Sequence, residues 1–133
     1  MKIVSWNVNS VRARLANIAE YVNESSPDVL LMQEIKCVNE VFPVEFFEDL
    51  GYSVAVFGQK SYNGVAIAAR SSIEDVVTGI PGYRDDQARY IEATIDGYLR
   101  VASVYMPNGN PINTAKFDYK IEFMQAFNKH AKK

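Results

Sequence analysis

This sequence of 133 residues has a single cysteine, Cys37. A lone cysteine excludes an internal disulfide framework and suits a reducing compartment, so a cytoplasmic location is expected. No apolar run approaches the ~20 residues that a membrane span needs, so no membrane partner is expected. The opening MKIVSWNVN enters a strand-like pattern at once and lacks a signal-peptide core and cleavage site. There is no internal repeat and no low-complexity tract. Positive charge is not in excess: 14 Lys and Arg stand against 16 Asp and Glu. That balance argues against holding nucleic acid through an overall field, but leaves room for a local basic rim around an acidic metal site. What is present is 48% hydrophobic and 23% charged residues, ordinary for one soluble domain with its own core.

Periodicity divides the chain into elements. Residues 2–8, KIVSWNV, alternate and predict a strand. Val11, Leu15, Ile18 and Val22 then fall at helical spacing, with Asn9 or Ser10 as the N-cap. Pro27 and Asp28 end that helix and open a strand over 29–34, so 2–34 reads as strand, helix, strand. If the two strands are parallel neighbours, Asn7 and Glu34 share the C-terminal edge of the sheet, where α/β proteins place ligands. A short helix follows within 42–52, with Phe46, Phe47 and Leu50 inward and Gly51 just past its end. A hairpin over 52–70, a strand near 73–80 and a two-residue hairpin at Asp96-Gly97 come next. The loop NGNPIN leads to an amphipathic helix over 114–133 with Phe117, Ile121, Met124 and Phe127 on its inner face and lysines toward its C-terminus. Three helices are few for six or seven apolar strands, so a sheet lacking a partner layer is expected.

Three polar residues stand at the ends of apolar strands: Asn7, Glu34 and Tyr105. A carboxylate and an amide oxygen are hard donors of the kind Mg2+ or Mn2+ accepts with several waters retained. Each residue also has a plainer reading. Glu34 could pair a lysine such as Lys36, Asn7 could cap a loop, and Tyr105 could be a core tyrosine with its hydroxyl at the rim. Spacing alone leaves these readings open.

Four motifs come in order: SWNVNSVRAR, PDVLLMQEIK, GY…FGQKSYNGVAI and ASVYMPNG. Together they resemble the exonuclease III family of apurinic/apyrimidinic endonucleases, within the DNase I-like endonuclease/exonuclease/phosphatase superfamily, from residue 2 to about residue 127. The resemblance implies an α/β fold: the N-terminal half of a DNase I-like two-sheet α/β sandwich, with mixed, mostly antiparallel sheet and flanking helices. It implies Glu34 as principal metal ligand with Asn7 nearby, and Tyr105 on the scissile phosphate. Asn108 and Gly109 would shape the wall of the site, and Lys36 follows the metal glutamate as in relatives. Lys60, Tyr62, Asn63, Gly64 and Arg89 would touch the DNA backbone, Gly64 by letting the main chain approach closely. The implied cofactor is Mg2+ or Mn2+. The implied substrate is double-stranded DNA with abasic sites or 3′ ends, cleaved 5′ to the abasic site or degraded 3′ to 5′ in repair.

The second half of that family's site is not found. No GDxN motif occurs, and His130 lacks the family's SDH context, so it reads as an exposed helix-end histidine. Asp85, Asp86 and Asp96 read as solvated turn residues, and Cys37 as a small packed one. Residues 1–133 are therefore expected to form a truncated domain, inactive or nearly so alone, because groups that act as a unit are strongly non-additive. Two other readings accompany it. One is a non-catalytic half-domain that binds DNA weakly, or joins a separate C-terminal half or a second copy through an exposed sheet face. The other is a phosphatase or phosphodiesterase acting on another ester.

Overall fold

The computed structural model describes residues 1–110 and 112–132. Two sheets stack face to face with helices outside both, giving four layers. The first sheet has the order β1 (Ile3–Asn7), β2 (Val29–Gln33), β4 (Val65–Ala69), β3 (Ser53–Phe57). The second has the order β5 (Ile73–Thr78), β6 (Tyr90–Ile95), β7 (Leu99–Val104). β1 and β2 are parallel, joined through α1 (Leu15–Ser25), with Asn7 opposite Gln33; every other pairing is antiparallel.

The near-continuous apolar runs of β2 and β4 follow from this stacking, because both strands are covered on both faces. Leu30, Met32, Ala66 and Ala68 face Ile18, Val22 and Phe47 of α1 and α2 (Val44–Asp49). Their alternate neighbours Val29, Val65, Ile67 and Ala69 face Ile91, Ala93 and Ile95 of the second sheet. The missing cover expected from the sequence is thus largely supplied by splitting the strands into two sheets. One end of the sandwich stays open, where β1 and β7 are both edge strands. There the buried Gln33 amide donates to Ser5 Oγ on β1 (3.1 Å) and to Ser103 Oγ on β7 (3.0 Å), and Ser103 Oγ donates to Met32 O (2.8 Å). These bonds tie three strands of two sheets beneath the ends of β1, β2 and β7.

Several expectations need correction. Neither Asn9 nor Ser10 caps a helix. Both adopt left-handed backbone (φ 46° and 83°), a 3-10 turn (Arg12–Arg14) follows, and α1 begins at Leu15 without a side-chain cap. The strand expected over 29–34 stops at Gln33. At the second hairpin Ile95 pairs with Leu99, so the connection has three residues rather than two. The last helix, α3 (Ala115–Ala131), is capped by Thr114 and turns inward a face that keeps Phe127 of the expected set but is centred on Phe123. Phe123 is buried and Tyr119, Ala126 and Phe127 pack with it against Tyr90, Ala102 and Val104, while Ile121 and Met124 are exposed. The outer face of the second sheet selects that side, and apolar residues all round the helix hid the choice. The loop position Pro111 and the helix-end position Lys133 lie outside the described residues. No helix among the described residues is long and apolar enough to cross a membrane.

Candidate functional site

The site is built where β1, β2 and β7 end. Immediately after β2 the backbone turns into the left-handed region at Glu34 (φ 53°) and again at Lys36 (φ 55°). The turn is held by Ile35 N–H on Gly64 O (3.2 Å), Lys36 N–H on Asn63 O (3.0 Å) and Ser10 N–H on Glu34 O (2.8 Å). Of the ten non-glycine residues with positive φ among the described residues, six (Asn9, Ser10, Glu34, Lys36, Ser61, Asn63) lie in the three loops that meet here. Each such residue costs of order 1 kcal/mol or more, and concentrated strain of this kind marks sites where geometry serves function.

The Tyr105 hydroxyl, reaching in from just past β7, donates a hydrogen bond to Glu34 Oε1. Burial pushes the Tyr105 phenol above its ordinary value, the Glu34 carboxylate adds to this, and Arg89 opposes it. Lys36 Nζ sits 3.7 Å from Glu34 Oε2 and donates to Asn9 Oδ1 at 2.6 Å. The lysine pairing weighed for Glu34 is therefore present but long. Asn7 Oδ1 accepts from Asn9 N–H at 3.1 Å, so Asn7 does act as a loop cap, with a second lone pair left on that oxygen.

Arg89 ties Tyr105 to its neighbours. Its guanidinium lies 4.7 Å from the centre of the Tyr105 ring and donates to Tyr105 O (3.3 Å) and Gln87 Oε1 (2.8 Å). Beside it opens a cavity of about 380 Å³ lined by Gln59, Tyr62, Asn63, Gln87, Arg89, Pro107, Asn108, Gly109, Lys116 and Tyr119. Tyr62 stands exposed on its rim, and Lys60 is exposed in the same loop. Asn63 Nδ2 donates to Gln59 Oε1 (3.1 Å), whose oxygen also accepts from Ala88 N–H (2.8 Å). Gly64 is buried, so its missing side chain makes room for Ile35 inside the protein, not for an approaching ligand. Gly109 likewise backs onto Lys120 of α3.

Sequence reasoning missed Gln59, Gln87, Lys116 and Tyr119, and also Arg12, which joins Lys36, Lys60 and Cys37 around a second hollow of about 270 Å³. Periodicity could not have found Lys116 or Tyr119, since both sit on a helix whose inner face was misjudged. Asp85 is no free turn residue: it accepts from Tyr119 O–H (2.7 Å) and Gln87 N–H (2.9 Å). Nor is His130 free, since its Nε2 lies 2.5 Å from the buried Glu92 carboxylate. Glu92 also takes bonds from Arg100 Nε (2.6 Å) and Tyr90 O–H (3.0 Å). Burial would raise the Glu92 carboxyl, but the bonds from Arg100, His130 and Tyr90 outweigh it and hold it below its ordinary value. Burial raises the Cys37 thiol, in keeping with a packed, unreactive residue.

The donor set at Glu34 fits a hard divalent cation in kind, being carboxylate and amide oxygen. In number it is part of a site: among the described residues no three of His, Cys, Asp and Glu converge.

Comparison with known proteins gives a consistent picture. The profile of the Endonuclease/Exonuclease/phosphatase family matches residues 4–132. An exodeoxyribonuclease III of Haemophilus influenzae is 37% identical over 128 residues, covering 92% of this chain and 48% of that protein. A 3′ phosphatase from Neisseria, solved with a product DNA hairpin, is 39% identical with a TM-score of 0.94, covering 98% of this chain and 51% of that one. An AP endonuclease from Archaeoglobus fulgidus is 38% identical with a TM-score of 0.91, at the same coverages. The chain thus spans about half the length of the relatives it matches, and its layers are those of half a DNase I-like sandwich.

Proposed function

We propose, from the premise that this chain belongs to the Endonuclease/Exonuclease/phosphatase family, that it carries one half of the site of a DNA-repair nuclease. The substrate is a DNA phosphodiester, cut 5′ to an abasic site or at a 3′ end. The observation that carries this reading is the contact of Tyr105 O–H with the Glu34 carboxylate, made by residues at the ends of strands from two different sheets.

Glu34 is the residue to hold Mg2+ or Mn2+, with the free lone pair of Asn7 Oδ1 beside it. When bound, such a cation neutralises phosphate charge and stabilises a leaving oxygen. Tyr105, fixed by Arg89, presents a hydroxyl kept protonated by its surroundings, suited to orient a phosphate oxygen. Asn108 and Gly109 form the wall. Tyr62, Asn63 and Arg89 line the cavity and Lys60 the second hollow, and a DNA backbone runs across both, while Gly64 supports the loop from within. Contacts of this sort are independent of sequence and sensitive to salt.

The chain by itself holds too few groups for turnover. A second half that adds strands at the free β1 and β7 edges completes the site, supplied by a longer polypeptide or a separate chain. The test uses an end-labelled duplex with one abasic site and Mg2+. The 133-residue chain binds the duplex in a salt-sensitive way and does not nick it. Nicking that a Glu34→Ala variant loses overturns the half-site reading, and absence of salt-sensitive binding overturns the DNA reading. A second reading, removal of a 3′-terminal phosphate, is favoured by the description of the 39%-identical Neisseria protein as a 3′ phosphatase. It is distinguished by presenting a 3′-phosphate duplex beside the abasic one to the completed enzyme.

A further inference from the structure

The helix α3 does more than cover the second sheet. Its first half reaches the candidate site at two points, and the ring of Tyr119 is one of them. That ring stands between the core and the site. It meets the buried Phe123 at a centroid distance of 6.3 Å, and the Arg89 guanidinium lies 5.4 Å from its centre. The same guanidinium lies 4.7 Å from the centre of the Tyr105 ring. Arg89 therefore contacts two aromatic rings, one from α3 and one from the end of β7. The Tyr119 hydroxyl is fixed in turn by Asp85 Oδ2 at 2.7 Å, and Asp85 Oδ1 accepts from Gln87 N–H, whose own side chain accepts from Arg89 Nε. Burial and the Asp85 carboxylate both push the Tyr119 phenol up, so it remains a donor.

We propose that Tyr119 is a positioning residue that, clamped by Asp85, holds Arg89 against Tyr105 and so sets how both face a phosphate. Every link is a direct contact: Asp85 to Tyr119, Tyr119 to Arg89, Arg89 to Tyr105, Tyr105 to Glu34. Two of the five N–H groups of Arg89 are used by Gln87 and Tyr105 O, which leaves others to meet an anion. A guanidinium in contact with two rings and hydrogen-bonded twice has surrendered much of its side-chain freedom before any ligand arrives, so less is lost on binding. The proposal rests on the reading of Arg89 and Tyr105 as phosphate-facing residues.

The experiment has one arm without DNA and one with it. In the first, the Arg89 Nε–H resonance of the labelled chain is identified by its loss in Arg89→Lys. Wild type should show an upfield-shifted, slowly exchanging signal. Tyr119→Leu should reduce the shift, leaving the part due to Tyr105, and speed exchange. Tyr119→Phe and Asp85→Asn keep the ring and should only speed exchange; they carry the test if the leucine variant does not fold. An Arg89 signal unchanged in folded Tyr119 variants overturns the proposal. In the second arm, duplex affinity at fixed salt is read by fluorescence anisotropy. Tyr119→Leu should weaken binding roughly three- to tenfold, the range of a cation–π contact. The same change in an Arg89→Ala background should add nothing, and an additive loss overturns the proposal. If the wild-type chain binds no duplex, the nuclease reading fails, and the Arg89 resonance alone decides the role of Tyr119.

Discussion

Replacing Gly64 by alanine tests how the turn at Glu34 is held. An added Cβ would lie 2.5 Å from Ile35 Cγ1 and 3.2 Å from its Cδ1, and Ile35 is fully buried. The Ile35 side chain has no room to retreat, so the contact costs about 1–3 kcal/mol, as for other overpacked cores. The backbone at φ 90° adds roughly 1–2 kcal/mol for any L-residue. The sum, about 2–5 kcal/mol, corresponds to a melting temperature lower by roughly 7–18 °C for a domain of this size. Gly51 provides the control, since its φ of 91° is nearly the same but nothing lies within 4 Å of an added Cβ. Gly51→Ala should therefore show the backbone cost alone. Thermal and urea denaturation of the two variants, followed by circular dichroism, isolates the contact as their difference. Equal losses in the two would refute the claim that Gly64 is small in order to seat Ile35. The loss should also disturb the site, because Gly64 O and Asn63 O accept the N–H groups of Ile35 and Lys36 on either side of the turn.

Three further outcomes follow from the same structure. Glu92 has a lowered folded-state pKa, so its contribution to stability is present above the ordinary carboxylate value of 4.5 and is lost as pH falls through the folded value. Urea titrations of Glu92→Gln against wild type should converge in that acid range and diverge above it. Removing both partners of a buried charge is milder than removing one, so Arg100→Leu should destabilise more than a paired Glu92→Gln, Arg100→Leu variant, by thermal melting. Lys60→Ala should weaken duplex binding across sequences and lower the slope of log affinity against log salt by about one, read by anisotropy from low to moderate salt.

How far the sequence discloses this molecule depends on how local each feature is. The run into Glu34 is legible because a strand buried on both faces must be apolar throughout, and a carboxylate at its end stands out. The left-handed turn that aims Glu34 is not legible, because it is imposed by hydrogen bonds to Asn63 and Gly64, almost thirty residues away. Phe46 and Phe47 of α2 and Leu50 at its C-cap read correctly, since Pro43 and Gly51 bracket a single apolar stripe. α3 does not, because it is apolar or aromatic on several sides and only the second sheet decides which side is buried. The Glu92–His130 pair joins residues 38 apart in sequence that share no motif, and Asp85 and Tyr119 are hidden in the same way. The motifs point to Glu34, Tyr105 and Arg89; only the fold reveals that Arg89 reaches Tyr105 and that Tyr119 stands behind it.

The central claim, that this chain presents one half of a metal-dependent phosphodiester site at Glu34, is tested most directly by Mn2+ titration of the isotopically labelled protein. Paramagnetic broadening should appear first at Asn7, Glu34 and Tyr105 and vanish in Glu34→Gln. Broadening strongest at exposed acids such as Glu40 or Asp86, unchanged by Glu34→Gln, would contradict it.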